Sequence, residues 1–216
     1  MWTDRMLEAL ETGVKGGKWF SLIDKVYRRE NLRAAFRKVA ANRGAPGVDH
    51  VTIAQFKSDE DAELERLERT LRDGTYQPQA IRRTYIPKPG SQEKRALGIP
   101  TVRDRTVEGA LRQVIEPIFE YRFAECSHGF RPKRGCKDAL REVDRLLRSG
   151  HWHVVEADWK RYFDTIPWGK LMARVEEQIA DGRILKLVKA FLAQGVMEEG
   201  QLTEAKEGTP QGGVIS

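Results

Sequence analysis

Residues 154–164, Val-Val-Glu-Ala-Asp-Trp-Lys-Arg-Tyr-Phe-Asp, decide the fold that we expect for this chain of 216 residues. The apolar pair Val154–Val155 predicts a short buried strand with Asp158 at its end. A carboxylate in that position suits Mg²⁺, a hard cation that takes oxygen ligands. A strand that ends in a solvated aspartate is the simpler interpretation, and this segment alone leaves both open.

The net charge, the cysteines and the apolar stretches of the sequence limit the class of protein but do not identify a partner. The formal net charge is +6, which suggests a polyanionic partner. Cys126 and Cys136 lack a C-x-x-C spacing, so neither a zinc site nor a disulfide framework is indicated. Because no apolar stretch approaches 18 residues and no charged-then-apolar leader is present, we expect a cytoplasmic protein with no membrane partner. The ending Gly-Thr-Pro-Gln-Gly-Gly-Val-Ile-Ser, where an apolar segment begins, predicts a truncated chain.

Residues 18–43 predict two helices, the second capped by Asn31 and ended by Gly44. Between Lys25 and Arg43 there are seven basic residues and one acidic residue. Such a face is either solvated or lies along phosphates. Thr52 is expected to cap the next helix, which ends at Gly74 and whose exposed side is acidic. We expect that acidic side to serve solvation and to face away from nucleic acid.

Residues 81–87 and 95–100 alternate as two strands of a hairpin connected through residues 88–94. Its basic mobile end suits a triphosphate or a template backbone, since Arg makes bidentate phosphate contacts and Lys acts as a point charge. Lysines that protect an edge hairpin from aggregation are the alternative. Thr101 is expected to cap the following helix, and residues 196–202 predict a second hairpin.

A basic loop at residues 127–135 precedes a helix whose apolar residues we expect to be buried. Its apolar stripe comprises Ala139, Leu140, Val143, Leu146 and Leu147. Helix-start amides and the basic side chains of the loop are suited to gripping a phosphate. His128 is more simply interpreted as a hydrogen-bonded loop histidine than as a metal ligand or a base.

Seven segments, in order and spacing, resemble the reverse transcriptases encoded by bacterial group II introns. They are Arg-Gly-Ala-Pro-Gly-Val-Asp (43–49), Ile-Pro-Lys-Pro-Gly (86–90), Arg-Ala-Leu-Gly-Ile-Pro-Thr (95–101), Asp-Arg (104–105), Ser-His-Gly-Phe-Arg-Pro (127–132), Ala-Asp-Trp-Lys-Arg-Tyr-Phe-Asp-Thr-Ile (157–166) and Gly-Thr-Pro-Gln-Gly-Gly (208–213). Each segment alone is weak, but the ordered series covers residues 31–216.

The resemblance implies an α+β fold, with the helical fingers and basic β-hairpin of a right-hand polymerase and an incomplete antiparallel palm sheet. It implies fingers with an N-terminal helical extension at residues 1–124. Residues 125–216 would form an incomplete palm, in which residues 168–207 pack back on the fingers. The family's Tyr-x-Asp-Asp hairpin, with its second set of metal-binding carboxylates, is expected to follow Ser216, as is the thumb.

The resemblance also implies site residues. Asp158 and the backbone carbonyl of Trp159 would bind Mg²⁺, and Phe163 would be the steric gate that excludes a ribose 2′-hydroxyl. Gln211, Lys88 and Arg95 would contact the nucleotide, although Lys94 is an alternative to either fingertip residue. Trp159, Arg161 and Tyr162 depart from the sequence that is usual in the family, which has smaller residues or glycine at these positions. The basic residues expected to contact intron RNA or the template are Arg28, Arg29, Arg33, Arg37, Lys38, Arg82, Arg83, Arg131, Lys133 and Arg134.

The function implied is RNA-directed DNA synthesis with an RNA template, a DNA primer and deoxynucleotide triphosphates. Two-metal phosphoryl transfer needs carboxylates on both sides of the ion pair, so we expect these 216 residues alone to be inactive. A non-catalytic splicing cofactor, or maturase, that binds intron RNA is the alternative. We also expect exposed apolar surface to favour self-association of the chain.

Overall fold

The computed structural model describes residues 2–14, 16–87, 90, 92–159 and 162–209. The helices of these residues are α1 (Asp4–Thr12), α2 (Ile23–Val26), α3 (Arg29–Ala41), α4 (Ile53–Ser58), α5 (Glu60–Asp73), α6 (Val102–Glu120), α7 (Cys136–Arg148), α8 (Trp168–Glu176) and α9 (Gly182–Leu192). The strands are β1 (Ile81–Pro87), β2 (Lys94–Ile99), β3 (Val196–Glu198) and β4 (Gln201–Thr203).

The four strands form one mixed sheet in the order β2-β1-β3-β4. β1 and β2 pair antiparallel, from Arg82 opposite Ile99 to Pro87 opposite Lys94. β1 also runs parallel to β3, with Ile81 opposite Val196. Both predicted hairpins are therefore confirmed, and the second turns at Gly200, whose positive φ of 82° suits glycine.

The core lies between α3, α5, α6 and α9. It contains Leu32, Phe36, Leu64, Leu67, Val107, Leu111, Val114, Ile184 and Phe191. The rings of Phe36 and Phe56 lie 4.4 Å apart between centroids, so α4 joins the same core. Helices packed around one core beside a small sheet confirm the α+β fold class.

The capping signals predicted at Thr52, Thr101 and Gly74 are confirmed. Thr52 and Gln55 form a capping box at the start of α4, and the Thr101 hydroxyl accepts a hydrogen bond from the backbone N–H of Asp104. α5 ends at Gly74, which adopts φ 73°. The helix predicted after Thr52 is interrupted at Asp59, so α4 and α5 are separate helices.

The predicted capping role of Asn31 is wrong. α3 begins at Arg29, and Asn31 lies inside its first turn with only 1% of its surface exposed. Its side-chain amide donates to the carbonyls of Lys25, Val26 and Ala110 at 3.0, 3.2 and 3.0 Å. The Asn31 amide therefore connects α3 to α2 and α6 by hydrogen bonds, and it does not cap the helix. α3 also ends at Ala41, before the expected stop at Gly44.

The strand predicted at residues 154–155 is not formed. Residues 151–159 are irregular, and Val154 and Val155 are 79% and 94% exposed. A strand is stabilised only when its backbone groups pair with a neighbour, and β1–β4 pair among themselves. The apolar run was correctly recognised, but no described strand lies beside it.

Helix α7 forms as predicted, but its apolar stripe is not buried. Leu140 and Val143 are 66% and 50% exposed, and no residue of α7 is buried. Of the 16 large apolar side chains that are exposed among the described residues, 12 fall between residues 121 and 163. The expected burial is therefore wrong because α7 has no apolar partner among the described residues.

Residues 168–207 contact the N-terminal part of the chain through Asp181 at the start of α9, through Gln194 and through β3, which pairs with β1. The carboxylate of Asp181 accepts hydrogen bonds from the backbone of Leu22 and Ile23 at 2.7 and 3.0 Å. Gln194 donates to the carbonyl of Gln79 at 2.7 Å. The division into fingers at 1–124 and palm at 125–216 stays a prediction. In the part of the chain that is described, no helix is both long and apolar enough to cross a membrane.

Candidate nucleic-acid interface

The β1–β2 hairpin carries Arg82 and Arg95 on one face. Arg82 lies opposite Ile99 and Arg95 lies opposite Ile86. Because alternate residues of a strand share a face and directly opposed residues lie side by side, Arg82, Ile86 and Arg95 are on the same side of the ladder. We call this side, defined by Arg82 and Arg95, the arginine face.

Neither arginine of this face has an acidic partner among the described residues. Arg82 is half-buried, and its Nε atom is buried without a hydrogen-bond acceptor there. Arg95 is exposed. A buried donor left unpaired costs about 1–3 kcal/mol, so an anionic oxygen placed beside it would be favoured.

The opposite face of the hairpin is neutralised by Glu198 of β3. Its carboxylate accepts a hydrogen bond from the Tyr85 hydroxyl and lies 3.6 Å from Arg83 Nη1. The hydrogen bond to Glu198 raises the pKa of Tyr85. Arg83 is therefore part of a contact between β1 and β3 that no local sequence pattern indicates.

The base of the hairpin is anchored by a buried carboxylate, Asp104 of α6. It accepts hydrogen bonds from the Tyr76 hydroxyl at 2.5 Å and from the backbone N–H of Gln79 at 3.1 Å. Burial raises the pKa of Asp104. The sequence placed Asp104 correctly in the first turn of α6 but did not reveal that it also holds the segment leading into β1.

The Gly44–Asp49 loop packs against the start of α6. A Cβ atom at Gly47 would lie 2.7 Å from the backbone N and Cα of Thr101, so this position requires glycine. Arg105 donates to the carbonyl of Ala45 at 2.8 Å, and burial lowers the pKa of Arg105. The loop therefore supports the helix that anchors the hairpin.

The basic face of α3 is partly neutralised by α5. Arg33 lies 2.6 Å from Asp61 and 3.2 Å from Glu60, and Arg29 lies 3.1 Å from Asp61. Hydrogen bonding to Arg29 lowers the pKa of Asp61. The acidic side of α5 thus pairs with α3, contrary to the expectation that it serves solvation alone.

The remaining basic residues predicted on this face are exposed. They have no ion pair within the described ranges and comprise Arg28, Arg37 and Lys38. We call these three residues the α3 patch. Arg29 and Arg33 are excluded from it because their charges are already paired.

The loop before α7 differs from the expected phosphate grip. The Arg131 side chain is 4% exposed, pairs with Glu120 at 2.8 Å and donates to the carbonyls of Ala124 and Ser127 at 2.7 and 2.9 Å. Arg131 therefore stabilises the loop conformation, and its buried guanidinium is already occupied by protein acceptors.

The other groups of this loop are also partly occupied. Arg134 pairs with Glu125 at 2.5 Å, and the Asp138 carboxylate accepts from the Gly135 N–H at 3.0 Å. An acidic group thus occupies the helix start expected to bind phosphate. Lys133 is exposed, and the Nδ1 atom of His128 is buried without a described partner.

Asp158 and Trp159 lie in the irregular exposed segment that follows α7. The Trp159 carbonyl accepts a hydrogen bond from the Tyr162 N–H at 3.3 Å. Within the described ranges, no group of three or more His, Cys, Asp or Glu residues is arranged to hold a metal ion. Since Mg²⁺ needs near-octahedral oxygen coordination, one carboxylate and one carbonyl do not complete a site for it.

Phe163 lies in a 3₁₀ turn, Tyr162–Asp164, that is fastened to residues 208–209. Its carbonyl accepts from the Thr209 N–H at 2.7 Å, and the Gly208 N–H donates to Ile166 at 2.9 Å. A Cβ at Gly208 would lie 2.5 Å from the Asp164 oxygen, so glycine permits this approach. The structure therefore joins two of the segments that carry the resemblance, although Lys88 and Gln211 lie outside the described residues.

Comparison with protein families gives one match that covers most of the chain. The family described as reverse transcriptase (RNA-dependent DNA polymerase) matches residues 86–216. The chain is 37% identical over 184 residues to the group II intron-encoded protein LtrA of Lactococcus lactis subsp. cremoris, covering 84% of this chain and 30% of that protein. It is 39% identical over 202 residues to protein YkfC of Escherichia coli K12, covering 90% of this chain and 52% of that protein.

Among solved structures, a chain of the "Partial Cas6-RT-Cas1--Cas2 complex" has a similar fold. The TM-score is 0.61 at 18% identity, with 91% of this chain and 32% of that chain covered. This likeness concerns the fold alone. The chain spans about a third to a half of the length of the two curated relatives.

Proposed function

Because this chain belongs to the reverse transcriptase family, in its group II intron-encoded reverse transcriptase/maturase group, we propose that it supplies the fingers and part of the palm of an RNA-directed DNA polymerase. Its proposed partners are intron RNA, an RNA template with a DNA primer, and deoxynucleotide triphosphates. Retrohoming and RNA binding for splicing are the proposed roles, and the cytoplasm is the proposed location.

The arginine face is the observation that carries this proposal. It presents two guanidinium groups without a described acidic partner, on a hairpin whose other face is neutralised by Glu198. Guanidinium groups bind phosphate oxygens in bidentate geometry. The arginine face therefore suits the triphosphate of an incoming nucleotide at Arg95 and the template backbone at Arg82, with Lys88 as a further proposed triphosphate contact.

Phe163 and Gln211 are the proposed contacts to the nucleotide sugar and the primer end. The Phe163 backbone is held by Thr209, two positions before Gln211 in the sequence. A backbone held in this way suits a steric gate, because exclusion of one hydroxyl group requires that the ring starts from a fixed position. Arg83, Lys133 and Arg134 are further proposed contacts to the template. Lys133 is exposed, whereas Arg83 and Arg134 would exchange their carboxylate partners, Glu198 and Glu125, for phosphate.

Reverse transcriptases as a family use a divalent metal, and we propose Mg²⁺ with Asp158 and the Trp159 carbonyl among its ligands. When bound, such an ion supplies charge stabilisation for phosphoryl transfer. The described residues do not complete its coordination, so these 216 residues alone are proposed to be inactive in primer extension. Asp158 would then contribute one carboxylate to a site that needs others.

Nucleotide binding by the 216-residue chain tests the arginine face directly. Arg95→Ala is expected to weaken binding of a fluorescent deoxynucleotide triphosphate, and Arg82→Ala is expected to weaken binding of a labelled template strand. Each loss is expected to be about 10-fold or more, since a charge-assisted hydrogen bond contributes about 1.5–3 kcal/mol. Arg112→Ala is the matched control, because Arg112 pairs with Glu116 on the exposed side of α6. Equal affinities for all three variants and the parent chain would contradict the assignment.

The gate and the metal ligand have their own readouts. Phe163→Ala is expected to raise the affinity for ribonucleotide triphosphates relative to deoxynucleotides in the same assay. Primer extension on an RNA template is expected to be absent for the 216-residue chain. Extension that disappears in Asp158→Asn would overturn the proposed inactivity while supporting the role of Asp158.

The second candidate function is a non-catalytic maturase that binds intron RNA. The α3 patch favours it, because Arg37 and Lys38 on α3 and Arg28 immediately before it are exposed cations without a described ion pair. Such charges attract a phosphate backbone. Tight RNA binding without any nucleotide binding would favour this function over the first.

Self-association is proposed for the isolated chain through the exposed apolar side of α7. Sedimentation equilibrium of the parent chain and of Leu140→Glu tests it. An unchanged monomer in both would exclude this contact.

A further inference from the structure

Helix α9 carries a row of basic residues on its exposed side. Arg183, Lys186 and Lys189 are three positions apart and exposed, so they lie along one side of the helix. The opposite side is buried in the core through Ile184, Leu187 and Val188. The sequence Gly182–Leu192 contains no acidic residue. We call the three basic residues the α9 ridge.

An apolar cavity of about 180 Å³ borders the ridge on one side. Its walls are formed by the apolar parts of Ile23, Leu71, Tyr76 and Leu187, with Arg183 and Lys186 among the lining residues. The Tyr76 ring is held in place, because its hydroxyl donates to Asp104 at 2.5 Å. Since a cavity of roughly 150 Å³ holds a benzene ring, this one has room for a single pyrimidine base.

A wider depression of about 500 Å³ borders the other side of the ridge. Trp168, Met172 and Leu185 line it together with Lys186 and Lys189. The Trp168 indole is fixed by a hydrogen bond of 2.7 Å to the Gly208 carbonyl. Glu176 also lines the depression. Lys186 therefore lies at the border of both recesses, each of which contains one anchored aromatic side chain.

We propose that the α9 ridge and its two flanking recesses bind single-stranded RNA. Phosphates would contact Lys186 and Lys189, and unstacked bases would occupy the recesses beside Tyr76 and Trp168. Basic residues interleaved with aromatic rings are the arrangement that binds single strands by charge and stacking. This inference rests on the proposed function only in that the chain binds RNA, and it names a surface separate from the hairpin and from the α3 patch.

Single-stranded RNA fits this surface better than an acidic helical peptide. A helix docks in one continuous groove, whereas Lys186 divides this surface into two recesses. The smaller recess also matches one ring in size. Arg183 is less available than the two lysines, because its guanidinium already donates to the carbonyls of Leu71 and Arg72, at 2.6 Å for Arg72.

The first test measures binding of a labelled uridine octanucleotide by anisotropy at several salt concentrations. The double variant Lys186→Glu/Lys189→Glu is expected to flatten the dependence of log K on log salt by about 1.4, since each single-strand phosphate contact contributes about 0.7. The matched control Lys57→Glu/Lys137→Glu changes the same charge on α4 and α7, where both lysines are exposed. It is expected to keep the slope of the parent chain.

A second variant separates the base contact from charge. Ala190 lines the smaller cavity, so Ala190→Leu is expected to fill part of it and weaken octanucleotide binding several-fold with the salt slope unchanged. Cross-links from a 4-thiouridine octanucleotide are expected in residues 168–190. Circular dichroism and thermal unfolding of each variant establish that it is folded.

The outcomes distinguish this inference from the proposed function. Failure of the parent chain to bind the octanucleotide at all would overturn both the RNA-binding role and this inference. Binding that is equally strong in the ridge, cavity and control variants would overturn the inference and leave the proposed function standing. If the ridge variant lost binding of an acidic Glu/Leu helical peptide but kept binding of RNA, the ridge would be a protein-docking surface. That result would also overturn the inference.

Discussion

The Asp181 carboxylate accepts a hydrogen bond of 2.7 Å from the backbone N–H of Leu22, 159 positions earlier in the chain. The same carboxylate accepts from Ile23 N–H at 3.0 Å and, through its other oxygen, from Arg183 and Ile184 N–H groups at 3.0 and 3.2 Å. One buried carboxylate thus accepts hydrogen bonds from backbone N–H groups at the starts of both α2 and α9. This contact joins the N-terminal helices to the segment that contributes β3 and the α9 ridge.

Replacement of Asp181 by Ala is expected to lower the free energy of unfolding by about 2–4 kcal/mol. A lost N-cap costs about 1 kcal/mol, and buried N–H groups left unpaired add about 1–3 kcal/mol. Urea unfolding measures the change. Asp59→Ala is the matched control, since Asp59 occupies the N-cap position of α5 but its side chain makes no capping hydrogen bond. A loss for Asp181→Ala no larger than that of the control would contradict the bridging role.

Asn31 gives a second stability prediction. Its amide donates to three carbonyls on α2 and α6, and Asn31→Asp keeps its shape while replacing the donor by a carboxylate facing those oxygens. We expect a loss of about 3 kcal/mol or more, because a buried charge without a partner is strongly unfavourable. Asn42→Asp, at the exposed end of α3, is expected to change stability by less than about 0.5 kcal/mol. Similar unfolding curves for the two variants would refute this.

Elements specified by neighbouring residues were predictable from the sequence. The Thr101 and Thr52 caps, Gly74 and both hairpins depend on contacts within a few positions, and all of them form. Asn31 shows the limit of this reasoning. It has a side chain typical of a cap, but a contact with Ala110 of α6 uses its amide instead, and no local pattern encodes such a contact.

The candidate site was predictable only where it depends on residues that are close in the sequence. Spacing placed Arg82 and Arg95 on one hairpin, whereas the pairing of Arg83 with Glu198 depends on β3, more than 100 positions later. The strand predicted at Val154 depends on a neighbouring strand that the described residues do not provide. Burial of Arg131 against Glu120 likewise could not be inferred from a basic loop sequence.

Tyr76 gives a prediction at alkaline pH. Burial, followed by the charge of Asp104, raises the pKa of Tyr76 well above its ordinary value of 10.0. A folded-state pKa above the unfolded value means that this stability is fully present below pH 10 and is lost as pH rises above it. Tyr76→Phe removes this titrating group, so the stability of the variant should fall less steeply between pH 9.5 and about 11 than that of the parent chain.

Urea unfolding at each pH measures the two slopes. The variant also loses the hydrogen bond to Asp104, so it is expected to be less stable at neutral pH by about 1 kcal/mol or more. Tyr121→Phe, on the exposed end of α6, is the control and should keep the alkaline slope of the parent chain. Parallel slopes for Tyr76→Phe and the parent chain would show that the phenol does not titrate differently on unfolding.

The α3 patch gives the last prediction, on RNA affinity. Simultaneous replacement of Arg28, Arg37 and Lys38 by Gln is expected to flatten the salt dependence of RNA binding by about 0.7–0.9 for each phosphate contact that is lost. The paired residues Arg29 and Arg33 are expected to contribute mainly to the contact between α3 and α5. The control replaces three exposed lysines elsewhere, Lys57, Lys137 and Lys206, and so removes the same charge. A flattening of equal size in both triple variants would mean that net charge alone attracts RNA and that α3 makes no direct phosphate contact.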